Sequence, residues 1–159
     1  MNPARSVNDI AVLVDTLVRS SRDQKRTLGD LLDILERESE ALKHGRAELI
    51  PEILGELQEG SSRAMRCEAE RDSSARKLAE VLGCSPTAGE ICSRLDPSLC
   101  GELKEASRGL VYAVSSLNDI NRLISRQADE QGRLAELVIE NLRSMAPPTG
   151  TSGGLDTTA

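Results

Sequence analysis

Residues 7–42 read VNDIAVLVDTLVRSSRDQKRTLGDLLDILERESEAL, and this stretch decides the fold. Steps of three and four residues alternate strictly along it, and the positions they reach are aliphatic except for Ser21, Gln24 and Glu38. A heptad seam of this kind is typical of helices that wrap around one another. The stretch therefore predicts one long amphipathic helix, which we expect to end near Gly45 because glycine commonly follows the last helical residue.

Two further ladders with the same spacing follow, one from Ile50 to Val81 and a longer one from Leu99 to Met145. Pro51 lies at the start of the second ladder, and a proline is tolerated best in the first turn of a helix, where its missing N–H costs least. Between the two ladders, Thr87 and Glu90 form a T-x-x-E capping box. This motif predicts a short connector helix over about residues 88–94.

These segments predict an all-α chain, an elongated antiparallel three-helix coiled-coil-like bundle with a short connector helix between helices 2 and 3. The bundle should occupy residues 1–146, with helices at about 5–44, 48–82 and 97–145. Residues 147–159 are rich in Gly, Ser and Thr, so we expect a disordered C-terminal tail. The heptads leave open whether the seam closes within one chain or between chains, although the short first connector favours an internal pair.

Composition excludes several classes of function. The net charge is −6 and the basic residues are scattered among acidic ones, which argues against binding to nucleic acid or to an anionic membrane surface. The longest apolar run near the start, from Ile10 to Val14, is too short for a signal peptide or a membrane span. We therefore expect a soluble cytoplasmic protein with no membrane insertion.

The residues that usually carry chemistry do not form a recognisable motif. The four cysteines Cys67, Cys84, Cys92 and Cys100 include no C-x-x-C pair, and His44 is the only histidine. We expect the cysteines to be reduced, and we predict no metal site, no cofactor and no enzymatic activity. A phosphotransfer module that uses His44 is a weaker alternative, because this histidine falls at a predicted helix end rather than in the middle of an exposed helix face.

Three polar residues lie on or beside the ladders. We expect the stem of Arg71 to lie along the seam while its head reaches solvent or an acid such as Glu38. Asn118 and Asn121 lie three residues apart on the third helix, and Asn121 borders the ladder. A buried Asn in a heptad seam fixes the register of the helices, which is the interpretation we favour. A polar contact with a partner helix is the alternative.

Three segments resemble the signature motifs of the FlgN family. Residues 117–124, LNDINRLI, resemble the family's L-N-x-x-N-x-x-L stretch on a long C-terminal helix. Residues 31–42, LLDILERESEAL, followed by Gly45, resemble its L-L-x-x-E-x-x-A-L-x-x-G opening. A central Arg71 followed by L-x-x-x-L-G at 78–83 matches a third motif. The order and spacing of these degenerate motifs carry the resemblance, which covers roughly residues 7–145.

The resemblance implies a function. FlgN-like proteins are small acidic chaperones of the flagellar type III export system, which bind the terminal helical segments of hook-associated junction proteins, prevent premature assembly and deliver these clients to the export gate. The family binds clients mainly through its C-terminal region. Carried over to this chain, the partner-binding residues are Leu134, Leu137, Val138, Asn141, Leu142 and Met145.

A physical argument supports the same region. Residues 134–142 are apolar on more than one helix face. If the third helix extends beyond its neighbours, a client helix can bury apolar side chains there at i, i+3 and i+4 spacing. The opposing interpretation is that these residues close the end of the bundle. The leading hypothesis is therefore an export chaperone, and the alternative is a structural coiled-coil adaptor that acts through self-association as a homo-oligomer.

Overall fold

The computed structural model describes residues 3–145. Within this range it contains four α-helices, no strand, and a short 3₁₀ turn at Ala47–Leu49. The α-helices are α1 (Pro3–Lys43), α2 (Ile50–Leu82), α3 (Ala88–Ser93) and α4 (Pro97–Met145). The predicted all-α class is confirmed, whereas the predicted tail over 147–159 lies outside the described residues. None of the helices in the described range combines the length and apolar content needed to cross a membrane.

The end of α1 is fixed by local sequence. Gly45 adopts a left-handed conformation with φ of 64°, which residues with a side chain rarely adopt. Its N–H donates a hydrogen bond to the Leu42 carbonyl at 3.2 Å, and the Arg46 N–H reaches the Ala41 carbonyl at 2.8 Å. This pair of bonds satisfies the last carbonyls of the helix. The helix therefore ends where the glycine predicted.

The starts of α2 and α3 also follow the sequence. Pro51 lies in the first turn of α2, as expected. At α3, the Thr87 hydroxyl accepts a hydrogen bond from the Glu90 N–H at 3.4 Å, which is the predicted cap. The Glu90 carboxylate in turn accepts the Ser85 N–H at 3.0 Å, and this backbone hydrogen bond lowers the pKa of Glu90. The connector helix is therefore anchored at its N-terminus from both sides.

Helix α1 packs on both other long helices. It forms an antiparallel pair with α2, since Arg37 pairs with Glu56 near the connector and Gln24 meets Arg71 further along. It runs parallel to α4, since Ser39 contacts Gln127 and the Leu42 carbonyl contacts Gln131.

Helices α2 and α4 lie farther from each other than either lies from α1. Over residues 50–82 and 97–145, no Cα atom of α2 lies within 8 Å of a Cα atom of α4. The contacts therefore place α1 between the other two helices and do not establish a three-helix bundle in which each helix packs on both others. Such an arrangement leaves a gap between α2 and α4 on one side of α1.

The core is concentrated at one end of the molecule. There the first half of α1 meets the end of α2, the connector helix α3 and the start of α4. The buried residues of this cluster are Val14, Leu17, Val18, Ala75, Leu78, Ala79, Ile91, Cys92, Leu103 and Ala106. A second and smaller cluster contains Ile34, Ala41 and Ile53. Most of the apolar area that stabilises the fold is therefore buried at the α3 end.

The expectation of four reduced cysteines is wrong at two positions. Cys92 and Cys100 form a disulfide with a Cα–Cα distance of 4.9 Å, while Cys67 and Cys84 are free. Only a tight turn separates α3 from α4, and this turn brings the two side chains together. Their spacing of eight residues along the chain does not indicate that proximity, because it depends on how sharply the connection turns.

We predict that a side chain at Gly60 destabilises the fold. A Cβ atom placed there would lie 2.8 Å from Cδ2 of Leu31, which is itself buried. Gly60→Leu should therefore lower the free energy of unfolding in urea by about 1–3 kcal/mol. The matched control is Gly55→Leu, since no atom lies within 4 Å of that Cβ position. This control should raise stability by about 0.5–1 kcal/mol through helix propensity, and equal effects of the two variants would contradict the prediction.

Candidate partner-binding site

The last turns of α4 extend beyond the helices that support the rest of it. Gln131 makes the last hydrogen bond between α4 and α1 among the described residues, from its side-chain amide to the Leu42 carbonyl at 3.2 Å. Helix α1 ends at Lys43. Every residue from 128 to 145 is exposed. We call residues 132–145 the α4 tip.

The α4 tip carries large apolar side chains in spite of its exposure. Val138 is 57% exposed, Leu142 is 63% exposed and Met145 is 79% exposed. Positions Leu134 and Val138 continue the three-and-four spacing of the ladder that packs on α1 further up the helix. The tip therefore presents the same seam that α1 covers elsewhere, at a place where α1 has ended.

All six residues expected to bind a partner lie on this tip. Leu134, Leu137, Val138, Leu142 and Met145 are exposed apolar residues, and Asn141 is exposed beside them. Their burial against the protein's own helices, which was the opposing interpretation, does not occur. Whether these residues bind a client remains a prediction.

A second exposed apolar surface lies near the α3 end of α4. The gap between α2 and α4 contains a cavity of about 410 Å³, whose floor is formed by Leu17, Ser21 and Gln24 of α1. An adjoining hollow of about 630 Å³ lies on the outer side of α3, and Val111 lines both. We call the two hollows, together with the α4 residues that line them, the Val111 groove.

Sequence reasoning missed the Val111 groove, although a signal was present. Residues 109–117 of α4 form an uncharged run, GLVYAVSSL. A helix that packs on a single neighbour needs an apolar stripe along one face only, with polar residues elsewhere. An uncharged stretch that covers all faces therefore indicates a second contact surface. The heptad ladder describes only one face of the helix and gives no information about the other faces.

The head of Arg71 reaches an acid, as expected, and that acid is Asp72. Its Nε donates a hydrogen bond to Oε1 of Gln24 at 2.6 Å, and its Nη2 donates to Oδ1 of Asp72 at 2.8 Å. The acid is not Glu38, the example given above, because the antiparallel register places Glu38 nearer the α1–α2 connector, close to the ion pair of Arg37. Glu38 is half-buried, and this burial raises its pKa. The stem of Arg71 lies beside the α1–α2 seam, as predicted, and lines the Val111 groove.

We predict that Arg71 and Gln24 are energetically coupled. Gln24 is only 8% exposed, so Arg71→Met leaves its carbonyl oxygen without a donor and should lower the free energy of unfolding by about 1–3 kcal/mol. The double variant Gln24→Leu/Arg71→Met replaces both partners with apolar groups and should recover most of that loss. Urea denaturation of the two single variants and the double variant measures the coupling. Additive losses in the double variant would contradict the prediction.

The two asparagines of α4 do not fix its register. Asn118 and Asn121 are both exposed, so the buried-seam interpretation is wrong for this chain. They lie on a polar surface that also includes Asp119, Arg122 and Arg126. The ladder predicts which residues of a helix share a face, but not which of those faces points towards a particular neighbouring helix. In the structure Asn121 lies on the face that points to solvent.

His44 occupies the turn after α1. Its side chain is exposed, and Nε2 lies 3.2 Å from Oε2 of Glu40. Among the described residues, no three or more His, Cys, Asp or Glu side chains cluster in a way that could hold a metal ion. The histidine therefore lies at a helix end, as predicted, with one carboxylate as its neighbour.

The sequence was compared with protein families, curated proteins and solved structures. A family model described as FlgN protein matches residues 12–146, which is well over half of the chain. No curated protein and no solved structure shows a significant match to the sequence. FlgN is a family of chaperones. The chain therefore belongs to the FlgN family.

Proposed function

We propose that this protein is a cytoplasmic export chaperone for flagellar hook–filament junction proteins. It binds their helical terminal segments, keeps them unassembled and delivers them to the type III export apparatus, whose gate components are its second class of partner. The observation that carries the proposal is the α4 tip, where the apolar seam of α4 continues after α1 has ended. Membership of a chaperone family supports it.

A client helix would take the place that α1 occupies further up α4. An amphipathic helix laid along the tip buries side chains such as Leu134, Val138 and Leu142 at i, i+4 and i+8. Each leucine-sized side chain contributes about 1.5–3 kcal/mol. Association and side-chain ordering consume much of this free energy, so micromolar affinity is the expected range. The same contact covers the client's own apolar stripe and thereby keeps it from assembling.

The proposal is tested by co-purification of the full chain with junction proteins. We expect the tagged protein to retain full-length hook-associated proteins, and to lose them when their terminal helical segments are deleted. Retention that does not depend on those segments, or no retention at all, would refute the proposal.

The alternative, a structural adaptor, uses the same surface. Two copies could pair their tips, because an unpartnered heptad seam is able to accept another helix of the same kind. Sedimentation of the protein with and without a junction-protein segment separates the two functions. A chaperone should be able to bind a junction-protein segment as a single copy, whereas an adaptor should form oligomers that exclude the segment.

A further inference from the structure

The Val111 groove is an apolar surface that the proposed tip contact does not use. Val111 is 70% exposed and Tyr112, the single tyrosine of the chain, is 75% exposed. Val114 is also exposed on the side facing the gap between α2 and α4. Scattered exposed aliphatic residues are ordinary, but a contiguous apolar patch usually marks an interaction site. Tyrosine in particular is enriched among the residues that dominate binding energy.

The shape of the groove fits a helix. Helix α1 forms its floor, α2 and α4 form its walls, and the connector helix α3 divides it. Because no Cα atom of α2 lies within 8 Å of one of α4, the two walls stand far enough apart for side chains of a docked helix to enter the hollow between them. The outer hollow is lined by α4 positions three and four residues apart, from Lys104 through Arg108 to Ser115. This spacing is the one an incoming helix recognises.

The outer hollow of the groove is basic in a chain of net charge −6, whereas the inner hollow carries both Glu68 and Arg71. Lys104 and Arg108 line the outer hollow, and neither belongs to an ion pair among the side chains of residues 7–145. Unpaired cations beside an apolar stripe complement carboxylates on a partner and discourage a basic one. The groove therefore favours a helix whose apolar stripe is flanked by acidic residues.

A second copy of the chain fits this surface poorly. In an antiparallel pair of α4 helices centred on Tyr112, Lys104 would meet Ile120 and Arg108 would meet Ser116, so neither cation would gain a carboxylate. In a parallel pair, Lys104 and Arg108 would face their own equivalents. Like charges placed opposite each other weaken an interface, so the charge pattern points to a foreign helix.

We propose that the Val111 groove binds a second amphipathic helix of the same client, one with carboxylates beside its apolar stripe. This inference rests on the proposed function, since it assigns the client a second contact. Val111 and Val138 are separated by 27 residues of one continuous helix, or about 40 Å. A client that reaches both surfaces is held at two points, and each contact raises the effective concentration at the other.

The test measures the affinity of the full chain for purified terminal segments of the junction proteins by fluorescence anisotropy. Val111→Glu and the pair Lys104→Glu/Arg108→Glu should each weaken binding at least roughly tenfold, and the effect of the charge pair should shrink as salt rises. The matched controls are Val12→Glu, an exposed valine on α1, and Arg122→Glu, an exposed arginine of α4 outside the groove. Both controls should bind like the wild type, and circular dichroism should show unchanged helicity in all variants.

The outcomes separate this inference from the proposed function. If Val111→Glu binds the segments as tightly as the wild type while Val138→Glu does not, the client uses the tip alone and the groove proposal is overturned. If Val111→Glu instead dissociates a wild-type dimer seen by sedimentation, the groove is a self-association surface and the proposal is also overturned. If the wild type binds no segment, it is the proposed function itself that fails.

Discussion

Ending the chain after Glu130 is expected to weaken the binding of junction-protein segments by roughly a hundredfold or more while the remaining helices stay folded. The truncation removes the whole α4 tip with its exposed apolar residues. Loss of two or three leucine-sized contacts at about 1.5–3 kcal/mol each corresponds to at least that change in affinity. Stability should change little, because every residue from 128 to 145 is already exposed. Among residues 131–145, the interhelical hydrogen bond that is lost is the one from Gln131 to the Leu42 carbonyl.

Two controls make this result specific. A chain ended after Met145 keeps the tip and should bind like the full chain. The full-length variant Val138→Lys/Leu142→Lys keeps the helix but places two charges on the seam, so it should bind as weakly as the truncation. Anisotropy titrations and urea denaturation of the three proteins measure affinity and stability separately. Undiminished capture of the segments by the truncated chain would show that the client binds elsewhere.

Leu78→Ala is expected to have the largest effect on stability, a loss of about 2–5 kcal/mol in the free energy of unfolding. Leu78 is fully buried at the centre of the larger core cluster, among residues of α1, α3 and α4. Removal of its terminal carbons leaves a cavity. Residues of α1, α3 and α4 would all have to move to close it. A domain of ordinary stability has only about 5–15 kcal/mol in total, so this one side chain carries a large part of it.

The control for Leu78→Ala lies one turn further along the same helix. Val81 is 54% exposed, so Val81→Ala should change the free energy of unfolding by no more than about 0.5 kcal/mol. Valine is the poorer helix former of the two, so Val81→Ala gains about 0.3–0.5 kcal/mol more from helix propensity than Leu78→Ala does. This difference is small beside the expected loss at Leu78, which therefore reports burial. Equal losses would mean that the α3 end is not the stabilising core.

The features that the sequence predicted well are local ones. The end of α1 at Gly45, the place of Pro51 in the first turn of α2 and the Thr87 cap of α3 each depend on a few adjacent residues. Backbone conformation and capping act over one helical turn, so a short motif contains the information. The exposure of the α4 tip could also be predicted from the sequence. Once the connectors are located, a comparison of helix lengths shows that the third long helix extends beyond the other two.

The features that were missed depend on which surfaces face each other. A heptad ladder gives one stripe per helix but not the neighbour that it meets, so Gln24 was not identified as the partner of Arg71. The exposure of Asn121 depends on the phase of α4 relative to α1. The Val111 groove exists because the backbones of α2 and α4 both approach α1 closely while they stay more than 8 Å from each other. None of these relations is encoded in the spacing of residues along one helix.

The α4 tip has a thermodynamic consequence that its chemistry alone does not suggest. Its 14 residues, 132–145, continue a helix without a neighbour to hold them. Isolated helices of about 12–15 residues are marginal in water, so the backbone amides of these turns should exchange with solvent far faster than those near Leu78. A docking helix supplies the missing lateral support, and part of the binding free energy is spent on ordering the tip. Recognition and helix formation at this end of the molecule are then one coupled event.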